Sequence, residues 1–111
     1  MEAAARGARQ AGGTTVGILP GADASDANPH ILIPIATGLG HARNAVNVSA
    51  AEAVIALPGG HGTLSEIALA LAMGIPVVSL AESGATPDVV AAPSAEEAVA
   101  TAFDLAEERR S

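Results

Sequence analysis

Apolar residues along the chain fall into short runs, and the runs alternate between two periods. TTVGILP (14–20) is β-branched and apolar and predicts a buried strand. ILIPIAT (31–37) is also apolar, but Pro34 predicts an edge or irregular strand. AVIALP (53–58) and IPVVSL (75–80) predict two more strands, and DVVAA (88–92) a short last one. Between them lie helical patterns at 2–11, from about Gly40 to Ala50, and at 63–73. The first is ended by Gly12-Gly13. GADASDANPH (21–30) is turn-rich and reads as a loop, with Asp23 and Asp26 as turn formers. The final helix is announced by Pro93-Ser94, and Ser94 with Glu97 makes an S-x-x-E capping box. Ala95, Val99, Ala102, Phe103 and Ala106 then mark its expected core face, with Arg109 and Arg110 near the negative end of its dipole.

Strands alternating with helices imply a Rossmann-like, doubly wound α/β fold: a mainly parallel sheet with helices on both faces. Continuous apolar strands such as AVIAL agree, because parallel strands are buried on both sides. The 111 residues suggest one domain with one core. The chain opens directly on a helix, with no strand before it.

Composition narrows the chemistry. Half the residues are apolar, yet Phe103 is the only aromatic, so the core must be packed from Ala, Val, Ile and Leu. A net charge of −7 and the lack of aromatic stacking platforms argue against nucleic acid as a partner. The longest uncharged apolar stretch, 67–81, contains Gly74 and Pro76 and is too short to span a membrane. No membrane association is expected, and the cytoplasm is the expected location. Without cysteine there is neither a disulfide nor a thiolate metal site. His30, His41 and His61 lack paired ligand spacing, so no metal and no cofactor are expected.

The chemistry-bearing stretch is PGGHGTLSE (58–66). It lies where a strand hands over to a helix, at the strand's carboxyl end, where open parallel sheets bind ligands. Gly59, Gly60 and Gly62 allow close backbone approach or positive φ. Amides and dipole at the helix start favour an anion such as phosphate, and Thr63 adds a hydroxyl. The competing reading is a T-x-x-E capping box, in which Glu66 only caps the amide of Thr63. The loop is neither a Walker A motif nor a dinucleotide GxGxxG.

PGGHGTLSE resembles the PGGxGTxxE motif of the LOG family of nucleoside monophosphate phosphoribohydrolases, long labelled "lysine decarboxylase-like". GLGHARN (38–44) resembles the segment that carries the family's active-site arginine, here Arg43, which precedes Glu66 by 23 residues. The flanking segments 1–21, 27–44 and 62–80 are most similar to the short bacterial branch that includes molybdenum cofactor carrier proteins. Family members begin with a strand, a helix and a strand ending in a GGxxGxM turn, and Met1 aligns with the methionine of that turn. The resemblance therefore implies a fold N-terminally truncated relative to the family.

The resemblance implies roles residue by residue. Gly59, Gly60, Gly62 and Thr63 would hold a phosphate, with His61 at the motif's variable position. Glu66 would stabilise an oxocarbenium-like sugar or activate water, and Arg43 would hold the ribose phosphate. Read without the family, Arg43 is a solvated helix arginine and the adjacent Asn44 an exposed helical residue that could also hydrogen-bond a ligand. Asn28 can touch ligand or make ordinary turn contacts. The expected activity is hydrolysis of a nucleoside 5′-monophosphate to base and ribose 5-phosphate. The alternative is a non-catalytic carrier of a nucleotide or a molybdenum-cofactor-like pterin phosphate. The expected partners are a phosphorylated small molecule and further copies of the chain, as a homodimer or larger homo-oligomer.

Overall fold

A computed structural model describes residues 2–58, 60–81 and 87–110. It divides into two compact units, Met1–Arg43 and Asn44–Ser111.

The first unit opens with α1 (Glu2–Gln10). Gly12, at φ 84°, ends it. The amide of Gly13 reaches back to the carbonyl of Ala8 and that of Gly12 to Arg9, the paired bonds of a Schellman stop. Two strands follow, β1 (Val16–Leu19) and β2 (Ile33–Ala36), paired in parallel with Gly17 opposite Pro34. β2 has one partner strand, so the amide that Pro34 lacks costs no bond on its other edge. Gly17 is required by space, since a Cβ there would stand 2.9 Å from Ile31 Cγ2. The connection contains a short 3₁₀ turn, Ala24–Asp26. It is capped by Asp23, whose carboxylate accepts from the Ser25 amide and hydroxyl; these bonds hold its pKa below the ordinary value.

The second unit contains most of α2 (Arg43–Ser49), then β3 (Val54–Ala56), α3 (His61–Ala72), β4 (Val77–Leu80), β5 (Val90–Ala92) and α4 (Ala95–Arg110). The three strands are parallel in the order β3-β4-β5. Side chains alternate across β4, and this sorts the helices. Val77 joins Val48 of α2 and Ile67 and Ala70 of α3 in one cluster. Val78 joins Ala98 and Ala102 of α4 in the other. Helices therefore cover both faces of a parallel sheet, the architecture the strand–helix alternation implied. α3 ends in another Schellman stop: Gly74 adopts φ 72°, and the Ile75 amide donates to the Ala70 carbonyl at 2.9 Å.

The core face of α4 differs from the expected one. Ala98, Ala102 and Ala106 are buried, whereas Ala95, Val99 and Phe103 are exposed, Phe103 by 63%. Two apolar stripes lie side by side on this helix. Close approach to a sheet of small side chains selects the alanine stripe, because a phenyl ring there would hold the helix away. The Ser94 hydroxyl accepts from the Glu97 amide at 3.2 Å, as the capping signal required. Phe103→Ala should shift stability by only ~0.5 kcal/mol, the scale of surface changes, against the ~3–5 kcal/mol of a core phenylalanine. Urea unfolding of the two proteins checks this, and a loss on the core scale would restore the original face.

Candidate functional site

In the second unit the glycine-rich segment links the carboxyl end of β3 to the start of α3. Gly60 is the N-cap, at φ −92° and ψ −144°, and no side chain caps it. The first turn closes when the Leu64 amide donates to the Gly60 carbonyl at 3.3 Å. The preceding amides, of His61, Gly62 and Thr63, have no intrahelical acceptor and form the positive end of the helix dipole. Gly59 lies outside the described residues.

Two expectations for this loop are corrected. Neither Gly60 nor Gly62 has a positive φ, so backbone handedness does not explain them. Nor does crowding, since a Cβ built on either meets no atom within 4 Å. Both positions face open space instead. The capping box also fails to form, because Thr63 is already inside the helix and the cap is Gly60. Glu66 has a different partner: its Oε2 accepts a hydrogen bond from Asn47 Nδ2 of α2 at 3.0 Å. Gly62, Thr63 and Glu66 share one face of α3 by their i, i+4 and i, i+3 spacing. His61 is exposed at the first position of the helix, while Thr63 and Glu66 are half-buried.

Asn44 is 4% exposed, which overturns its reading as a surface residue. It stands one turn before Asn47 on α2, so the two share a helix face. Asn47 was invisible to motif reading, and its only sequence signal was the N-x-x-N spacing in RNAVN.

In the first unit, Arg43 is not a solvated arginine. Its Nη1 donates to the carbonyl of Ile18 in β1 at 2.6 Å, and the side chain is half-buried. The carboxyl-end loops of β1 and β2 are laced together beside it. Gly38 and Gly40 donate their amides to Gly21 and Pro20, both at 2.9 Å, and both take positive φ. Asn28 makes the turn contacts that its sequence context allowed, its Oδ1 accepting from the His30 amide at 2.9 Å.

A cavity of about 650 Å³ lies elsewhere in the second unit. Leu71, Ile75, Pro76, Asp88, Leu105 and Arg109 line it. Ile75 and Pro76 precede β4, so this cavity is at the amino end of the strands, opposite the glycine loop. Its volume is in the range of small-molecule pockets. The chemistry favours the loop, where orphan amides meet open glycines. No helix of the described residues is long and apolar enough to cross a membrane.

Comparison with known proteins gives the family and the fold. The model of the SLOG cluster4 family matches residues 1–108. An uncharacterised protein of Archaeoglobus fulgidus is 49% identical over 80 residues, covering 72% of this chain and 52% of the relative. The chain thus spans about half the length of that relative. Two solved structures share the fold. The molybdenum cofactor binding protein of Rippkaea orientalis superposes with a TM-score of 0.82 at 37% identity. The molybdenum cofactor carrier protein of Chlamydomonas reinhardtii superposes with a TM-score of 0.77, also at 37% identity. Each match covers 92% of this chain and 68% of the solved one. The chain belongs to the SLOG cluster4 family.

Proposed function

We propose that this SLOG cluster4 protein is a carrier that binds a phosphorylated small molecule at the start of α3, with a molybdenum-cofactor-type pterin phosphate as the preferred cargo. The observation that carries the reading is the pair Gly60 and Gly62. Among the described residues neither a positive φ nor a close neighbour requires them, and they stand at a helix start whose first three amides have no intrahelical acceptor. An anion approaching that closely gains charge-assisted hydrogen bonds and the dipole together. The names of the two solved relatives support a cofactor cargo.

Hydrolysis of a nucleoside monophosphate is the second reading, favoured by one observation: Glu66 lies one helical turn beyond Gly62 on the same face. In that reaction Glu66 would stabilise the cationic sugar. The anchoring of Arg43 on the Ile18 carbonyl fits a fixed binding group as well as a reacting one.

One experiment separates the two. Guanosine 5′-monophosphate is titrated calorimetrically into the protein, and the mixture is then chromatographed for free guanine. In parallel, protein purified anaerobically from cofactor-producing cells is assayed for molybdenum. The carrier reading expects saturable binding, bound molybdenum and no released base. Base release that disappears in Glu66→Gln would establish the hydrolase instead. No binding and no molybdenum would defeat both.

Association of copies belongs to the same proposal. Leu32, Ile33 and Ile35, on and beside β2, are about half exposed, more apolar surface than a two-stranded sheet leaves to water when stable alone. Light scattering at micromolar protein should give a mass above one chain, and a monodisperse monomer would refute it.

A further inference from the structure

We infer that Asn47 is a positioning residue that holds the Glu66 carboxylate as a hydrogen-bond acceptor for the ligand, and so selects phosphorylated ligands that carry their own donors. This rests on the glycine loop being the anion site. The two residues come from different helices and meet at 3.0 Å, Nδ2 to Oε2. Each is followed by a core residue, Val48 at 1% exposure and Ile67 at 7%, and these two share one cluster. The rotation of both helices is therefore set by packing directly beside the pair. Packing thus fixes the two backbones from which the exposed Asn47 and the half-buried Glu66 side chains meet.

The choice of asparagine matters chemically. Its amide donates to a carboxylate but has no proton to relay at neutral pH. It therefore serves the Glu66 carboxylate as a donor and offers no path for proton relay. Among the described residues, no protein group donates to Glu66 Oε1. Helical side chains lean toward the helix N-terminus, so Glu66 lies over the turn that holds Gly62 and Thr63. Four residues separate Gly62 from Glu66, a rise of ~6 Å. A ligand whose phosphate sits on the first-turn amides meets Glu66 about that far along its length. A hydroxyl or ring N–H at that position is bound; a bare anion gains nothing from it.

Two probes test this by calorimetry: inorganic phosphate, and guanosine 5′-monophosphate, which carries hydroxyl and N–H donors. Asn47→Ala should weaken the nucleotide about tenfold, the scale of one lost hydrogen bond to a charged group. It should leave phosphate unchanged. In a Glu66→Gln background the Asn47→Ala change should add little, because the two act as one unit. Equal weakening of both probes, or additive losses, would overturn the inference in favour of a structural role. A ligand-free arm keeps the test decisive if wild-type protein binds neither probe, an outcome that defeats the loop reading itself. Proton–proton couplings should show Glu66 in one rotamer in the wild type and averaged in Asn47→Ala, with the melting temperature unchanged. A Glu66 that keeps its rotamer without Asn47 would overturn the pairing.

Discussion

Gly62→Val should abolish binding of phosphorylated ligands while leaving the fold intact. Gly62 is the second residue of α3, and its built Cβ meets no atom within 4 Å. Valine is a better helix residue than glycine by a few tenths of a kcal/mol, so stability should hold or rise slightly. On the proposed reading, its two methyls would crowd an anion bound at the amides of His61, Gly62 and Thr63. The expected loss is about 100-fold or more in affinity, ~2.7 kcal/mol. Gly62→Ala should fall between the two. Calorimetry with guanosine 5′-monophosphate, beside a thermal melt, reads both effects. Unchanged affinity in a folded Gly62→Val protein would remove the loop as the anion site. A stable variant that no longer binds would show that the glycine is kept for the ligand at a small cost to the helix.

Val78→Asp should unfold the second unit. Val78 is 0% exposed and is flanked in register by Ile55 of β3 and Val90 of β5. Its side chain packs with Ala92, Ala98 and Ala102. A carboxylate in that apolar cluster would have to stay charged without a partner or be protonated at a cost. Either route costs about 4 kcal/mol or more, most of a typical domain's stability. Val90→Asp is the control. It sits in the neighbouring strand at 43% exposure and should cost far less, since water reaches its side chain. Circular dichroism during urea titration separates the two. A cooperative, native-like transition for Val78→Asp would mean that the β4–α4 layer is not packed as described.

How much was legible before the structure depends on how far apart the interacting residues lie. The stop at Gly12-Gly13 and the Ser94 cap were readable because each is set by neighbours within one helical turn; the start of α3, expected near Thr63, lies two residues earlier at His61. The alternation of strands and helices was readable for the same reason, and with it the parallel α/β class. The core face of α4 was only half readable. Periodicity places Ala102 and Ala106 correctly, but it cannot choose between adjacent apolar stripes that differ in side-chain volume. That choice belongs to the sheet opposite, whose small residues admit the alanines and leave Phe103 outside.

The site divides the same way. The local pattern by itself determined a glycine-bearing strand-to-helix turn, the orphan amides that follow, and the phase that puts Glu66 on the face of Gly62. Tertiary structure alone decided that Glu66 pairs with Asn47, 19 residues away, rather than capping its own helix. It also decided that Arg43 is fastened to Ile18, 25 residues before it, and that Asn44 is buried. Backbone capping and turn chemistry are satisfied within a few residues and so are written in the local sequence. Side-chain partners are chosen by whatever packing brings near, and that is settled only when the helices dock on the sheet.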